Sequence, residues 1–205
     1  MDHPVIRSAE AATGVRLSAS GNVALLNLPR RCLLVSRAEK APQPSTAWLR
    51  DSLQAVKFVV AKDEVLVSGV GRTAWEAALF SCARMSGRAI LICDERPADP
   101  TPHFWPRDTL LLWPETPLIP AERDRLIAAF ADRAYAIHIR KNGNMASLAE
   151  LLRARGCPVE VFHPSSPALI ENSIPPESAD PLPPAGVWNY PVSYTHLRAH
   201  ETKAN

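Results

Sequence analysis

Four short stretches of the chain carry basic, hydroxyl or glycine residues in patterns that grip a negative charge. They are Ser36-Arg37; Ser68-Gly69 with Arg72 and Thr73; Arg123 with Arg125; and Lys141 with Gly143 and Ser147. The chemistry they suit is phosphate recognition. Glycine lets backbone N–H groups come close. A helix start offers unpaired N–H groups and the positive end of its dipole. Arginine donates two parallel hydrogen bonds to one phosphate. Thr73 and Glu76 have the spacing of a capping box, which sets a helix start just after Arg72. Any strand-to-helix turn needs glycine, so the arginines weigh more: near a helix start, each opposes the dipole unless an anion is present.

Other chemistries find little support. His138 lies in an apolar strand-like run and reads as a core or edge histidine, while His103 and His163 sit in proline-rich loops. No Ser/His/Asp order, carboxylate pair or nucleophile elbow is present, so no catalytic residue is expected. Cys32, Cys82, Cys93 and Cys157 are far apart and form no CxxC pattern. Neither zinc nor a disulfide framework fits; free thiols buried in a reducing cytosol do. No metal or cofactor is expected. Trp75, in a first helical turn, reads as core rather than a base-stacking platform. Trp105 and Trp113 flank a proline-rich segment and would pin it to the fold.

The closing stretch is a special case. His196 and His200 stand four apart beside Glu201, as on a metal-binding helix. Yet Val192 to Thr202, VSYTHLRAHET, resembles the translation of a transposase adapter used in sequencing libraries. Residues 192–205 are therefore excluded from fold reasoning, and the metal reading falls with them. The natural protein is expected to continue beyond Pro191.

Around these loops, apolar runs at 31–36, 64–69, 89–94, 108–113, 134–139 and 158–162 read as strands. Helical spacing links them at 45–63, where Ser45 can cap, at 72–87 ending in Gly87, at 120–132 behind Pro120, and at 145–156 ending in Gly156. Strands apolar throughout that alternate with helices imply a mainly parallel sheet covered on both faces. The expected fold is α/β, Rossmann-like and doubly wound, with ligands beyond the carboxyl ends of the strands. The expected boundaries are an amino-terminal extension over 1–20, the α/β domain over 21–164 with a proline-rich insertion at 96–120, and a proline-rich linker or disordered tail over 165–191. Of 20 prolines, seven fall between Pro97 and Pro120 and eight between Pro164 and Pro191, which sets the last two boundaries.

With 205 residues, 46% of them apolar, the chain can build one sizeable core. A formal charge of +2 excludes a global field for nucleic acid or membrane, so polyanion contact must be local. No long apolar run or signal pattern appears, and a cytoplasmic, soluble protein without membrane contact is expected.

At its loops the chain resembles the DNA-processing protein A (DprA/Smf) family, of the SLOG branch of Rossmann-like folds. The matching segments are GNVALLNLPRRCLLVSR, SGVGRTAWEAALFSCARMSGRAILI, RDRLIAAFADRAYAIHIRKNGNMASLAELL and VEVFHP, in the family's order from about Gly21 to Pro164. The most specific piece is Arg123-Asp124-Arg125 ahead of LIAAFAD. The resemblance implies a pocket for single-stranded DNA phosphates, lined by Ser36, Arg37, Ser68, Gly69, Arg72, Arg123, Arg125, Lys141, Gly143 and Ser147. It also implies a role without catalysis, in DNA-mediated transformation, with a RecA-type recombinase as partner. The chain departs from the pattern at Val35 (glycine in the family), at Thr73-Ala74-Trp75 (Gly-Ile-Asp), at Leu79 (histidine) and at Asp124 (asparagine).

Three functions follow from these residues. A strand-binding module would contact phosphates with little base reading, and a homo-oligomer aligning several pockets would offset the low charge. A sensor of a nucleotide-derived ligand would use the same loops. A nucleotide phosphoribohydrolase would need Ser147 and Glu150 in place of that family's threonine and glutamate, but the double glycine is broken here.

Overall fold

The computed structural model describes residues 3–36, 46–97, 106 and 108–162. Arg37, Ser45, His103, Trp105, His163, the 165–191 linker and the 192–205 stretch lie outside the described residues.

The chain runs α1 (Pro4–Thr13), β1 (Leu17–Gly21), a short 3-10 helix (Val23–Asn27), β2 (Arg30–Val35), α2 (Ala47–Ala61), β3 (Val65–Gly69) and α3 (Thr73–Arg84). It continues through β4 (Arg88–Ile92), β5 (Asp108–Pro114), α4 (Pro120–Phe130), β6 (Arg133–Ile137), α5 (Asn144–Ala154) and β7 (Val159–Val161). The seven strands form one sheet in the order β1-β5-β4-β3-β2-β6-β7. All neighbours are parallel except β1 with β5. The expected Rossmann-like α/β architecture is thus the observed one.

Helices cover both faces. Leu34, Val67, Ile90 and Leu112 pack with α1, α4 and α5. Leu33, Leu66, Leu91 and Tyr135 pack with α2 and α3. Alternate residues of one strand serve opposite layers, which is why the strands read as apolar throughout. Gly87 belongs to this packing. A Cβ there would lie 2.6 Å from Cys82 Sγ and 2.7 Å from Val60 Cγ2. The left-handed residue after α3 is Ser86, at φ 52°, so Gly87 allows close approach rather than making the turn.

Three expected boundaries take a different form. Residues 1–20 supply α1 and most of β1, with Ile6 and Ala9 buried against the α4 side. The 96–120 segment contains β5, which is a sheet strand between β1 and β4. Its leucines Leu110, Leu111 and Leu112 are buried, and proline bounds the strand rather than interrupting it. Finally, α2 starts at Ala47 with Thr46 as N-cap.

At the amino edge of the sheet, Arg31 is fully buried. It donates from Nε to Glu64 Oε2 at 2.6 Å and from Nη1 to Glu160 Oε1 at 3.2 Å. Its guanidinium lies 4.0 Å from the centre of the Tyr135 ring. This charge is satisfied internally and lies away from the carboxyl edge that carries the loops of interest. No helix among the described residues is long and apolar enough to cross a membrane.

Candidate anion-binding rim

Each of α2, α3 and α5 follows a strand directly, and α4 enters from the carboxyl end of β5, so their N-termini gather along the carboxyl edge. The centre of this rim is built on Gly69. A Cβ at this position would lie 2.8 Å from Cε3 and Cζ3 of Trp75 and 3.0 Å from Ile127 Cδ1. The Trp75 side chain leaves α3 and crosses the end of β3 to join the core on the α4 side. Two guanidiniums lie against its ring, Arg72 at 4.8 Å and Arg123 at 4.6 Å from the centroid. Trp75 is 4% exposed, as core packing requires, and also serves as an apolar floor for both cations.

The two arginines differ in access. Arg123 is 3% exposed; its Nη1 donates to Asp94 Oδ2 at 2.5 Å and to the Val70 carbonyl at 3.0 Å. It ties α4 to the loops after β3 and β4. Arg72 is 28% exposed at its side chain and meets Asp124 Oδ2 at 3.5 Å. Asn144, the first residue of α5, donates its side-chain amide to the same oxygen. Among the described residues, Asp124 Oδ1 is buried without a hydrogen-bond partner, as is Arg123 Nε.

The start of α3 departs from the expected capping box. Arg72, not Thr73, is the N-cap, and Thr73 is the first helical residue. Glu76 reaches back and accepts from Gly71 N–H at 3.2 Å. Burial raises the Glu76 carboxyl above its ordinary range, against the lowering effect of that hydrogen bond. Burial likewise raises Asp124, opposed by Arg72 and Arg123. Two guanidiniums therefore pair with two carboxylates at the inner rim, Arg72 with Asp124 and Arg123 with Asp94. An incoming anion finds this part already occupied by the protein's own acids.

The outer rim lies between β2 and β6. Successive strands step away from β2 as far as β5, and β6 then returns to its other side, which makes this the switch point where such folds bind ligands. Here Ser36 Oγ accepts from Arg140 N–H at 2.7 Å, linking the two loops. Arg140 and Lys141 are exposed. His138, expected within a strand, is the first residue past β6, at φ 48°, a left-handed conformation uncommon for a side chain with a Cβ. Its Nε2 lies 2.7 Å from Oδ2 of Asp51, itself 7% exposed on α2.

The rim thus divides the expected residues. Gly69, Arg72 and Arg123 meet around Trp75, while Thr73 opens α3 and Ser68 lies in β3, only 2% exposed. Ser36, Lys141, Gly143 and Ser147 belong to the outer half, where Ser147 is exposed on the first turn of α5. The Asn144–Asp124 bond bridges the halves. Arg125 is exposed on the solvent side of α4, about 200° round the helix from Arg123, and does not join the Trp75 cluster. Sequence reasoning passed over Asp51 and Asp94. An isolated acid after a strand or in a helix carries no pattern of its own.

The thiols take no part in the rim chemistry. Cys32, Cys82, Cys93 and Cys157 are free, and only Cys157 is partly exposed. Burial pushes Cys32, Cys82 and Cys93 up to about 12, which keeps them protonated and unreactive. Among the described residues no group of three or more His, Cys, Asp or Glu could hold a metal ion.

No family model matches the sequence, and no curated protein sequence matches it. Solved structures do. The DNA processing protein A (DprA) of Streptococcus pneumoniae superposes with a TM-score of 0.55 at 17% identity, covering 70% of this chain and 53% of that one. DNA processing protein A from Helicobacter pylori, described for its single-stranded DNA binding mode, gives 0.53 at 17% identity, covering 70% and 69%. A molybdenum cofactor binding protein from Rippkaea orientalis gives 0.46 at 17% identity, covering 64% and 74%. The fold is DprA-like and of the Rossmann type. The chain spans about half the length of the Streptococcus protein, 53%.

Proposed function

We propose that this protein is a non-catalytic phosphate-reading module that binds single-stranded DNA along the carboxyl edge of its sheet. The observation that carries the reading is the gathering of accessible cations there. Arg72 lies half-open on its Trp75 floor. Arg140 and Lys141 stand exposed beside Ser36, above the start of α5. The likeness in fold to a protein described for single-stranded DNA binding supports the same reading. In it, Arg72, Asn144, Lys141, Ser147 and Arg140 contact the backbone, Arg125 extends the basic surface, and Arg37 is a further phosphate contact carried from the sequence reading. Arg123, Ser68, Gly69 and Thr73 shape the rim from within. The module spans 21–164, completed at its amino end by α1 and β1, with 165–191 as a tether. A RecA-type recombinase as protein partner and a homo-oligomer that aligns several rims belong to the same proposal, as does a cytoplasmic location.

The test is titration of fluorescein-labelled oligo-dT against the full chain at several salt concentrations. Binding should weaken steeply with salt, since phosphate neutralisation releases counterions. Salt-insensitive binding, or none at low salt, overturns the reading.

A nucleotide-derived ligand is the second reading. The pairing of His138 with buried Asp51 at the switch point favours it, because it places a fixed polar group beside the crevice. Saturable binding of a mononucleotide without affinity for oligo-dT would replace the first reading by this one. A phosphoribohydrolase gains least: Glu150 and Ser147 are both exposed on α5. Release of base from a nucleoside monophosphate would establish it.

A further inference from the structure

We propose that Asp124 is the specificity-determining residue of the rim: its carboxylate stands where a ligand phosphate would bind and must be displaced from Arg72 and Asn144 before an anion can enter. The inference rests on the phosphate-reading function proposed above and goes beyond it.

Both groups that Asp124 holds are suited to phosphate. Arg72 is the N-cap residue of α3 and Asn144 the first residue of α5; Asn144 donates to Asp124 Oδ2, and the Arg72 guanidinium forms an ion pair with the same oxygen at 3.5 Å. A carboxylate oxygen held by an amide donor and a guanidinium charge is a local mimic of a phosphate oxygen. The carboxylate is poorly accommodated where it stands. It is 3% exposed, and among the described residues its Oδ1 has no hydrogen-bond partner. A buried acceptor left unmatched destabilises the folded state. A group kept under that strain at a rim of functional residues fits a role beyond stability.

The neighbouring pair shows why the exchange happens at Arg72. Arg123 is 4% exposed at its side chain, contacts Asp94 at 2.5 Å and has a second acceptor in the Val70 carbonyl. Arg72 is 28% exposed, its contact with Asp124 is 3.5 Å, and it rests on the Trp75 face. A phosphate reaching Arg72 from solvent replaces a long ion pair with a charge-assisted hydrogen bond. Asp124 then remains close to Arg123, one of the charges that already lower its carboxyl. Polyanions that engage several cations at once can supply the displacement, whereas a lone monoanion gains little over the resident carboxylate. The same device accounts for a rim rich in arginine yet short of net positive charge.

The test uses the full chain, labelled oligo-dT and four forms: wild type, Asp124→Asn, Arg72→Ala, and the double variant. Asp124→Asn is isosteric, and circular dichroism melting confirms folding. The expected result is about tenfold tighter binding by Asp124→Asn, with no gain when the same change is made on Arg72→Ala. Equal affinity of wild type and Asp124→Asn overturns the inference and leaves the phosphate-reading function standing. An equal gain on both backgrounds also overturns it, since the effect would then be general charge. No binding by either wild type or Asp124→Asn removes both proposals. A ligand-free readout stands beside these. Phenylglyoxal modification at Arg72, located by mass spectrometry, should be several-fold faster in Asp124→Asn, and an unchanged rate overturns the inference by itself.

Discussion

Gly69 and Trp75 form a matched pair: the indole ring occupies the space that a side chain on residue 69 would need. A Cβ on Gly69 would stand 2.8 Å from two ring atoms. The ring in turn is the surface on which Arg72 and Arg123 rest. One missing methyl group thus lets an α3 side chain cross the sheet edge, seal the core on the α4 side and orient two cations.

Gly69→Ala is therefore expected to destabilise the protein by about 1–3 kcal/mol, the range for forcing extra volume into a packed site. Trp75→Ala should lower stability by about 3–5 kcal/mol through the cavity it leaves. Urea denaturation monitored by circular dichroism measures both. A Gly69→Ala protein as stable as wild type would show that the ring is not confined as described.

Replacing Arg140 and Lys141 together by alanine should weaken oligo-dT binding without changing stability, because both side chains are exposed. The logarithmic salt slope should become shallower by about 0.7 for each single-strand phosphate no longer neutralised. Anisotropy titrations at three or more salt concentrations read the slope, and an unchanged slope would remove these residues from the interface.

At the opposite edge of the sheet, Glu64→Gln should destabilise the fold by about 3–5 kcal/mol. It leaves the fully buried Arg31 without its main counter-charge. Replacing Arg31 and Glu64 together by methionine should recover much of the loss. Chemical denaturation midpoints of the two variants make the comparison, and equal losses would show that packing rather than charge dominates there.

The pH dependence follows from Asp124 and Glu76. Burial raises both carboxyls above their ordinary values of 3.8 and 4.5. A raised acid binds its proton more tightly in the folded state. Its contribution to stability is therefore complete below the unfolded value and is lost as pH rises through the folded one. The Asp124→Asn, Glu76→Gln double variant lacks both titrations. As pH falls from 7 towards 4, stability should shift in favour of wild type relative to this variant. Parallel pH profiles in urea denaturation would contradict the assignment.

The strand runs and the helical spacing were legible in the order of residues. Every segment from 31 to 162 read as strand or helix became one, because apolar periodicity reports burial directly. The first twenty residues were less readable. The strand LSASG, Leu17–Gly21, is too short and weakly apolar to stand out, with only Leu17 buried, and it pairs with β5. Gly69 and Arg72 were marked by type and place, and the structure brings them together. That Arg123 turns inward to Asp94 while Arg125 faces solvent depends on which side of α4 meets the sheet.

What the sequence alone determined is the α/β alternation, and with it the edge where the loops gather, since each follows from local periodicity and chain connectivity. Only the tertiary structure decided the charge state of that edge. Asp94 and Asp124 reach the arginines from segments distant in the chain. Electrostatic pairing depends on distances between side chains in space, and these are set by packing rather than by position along the chain.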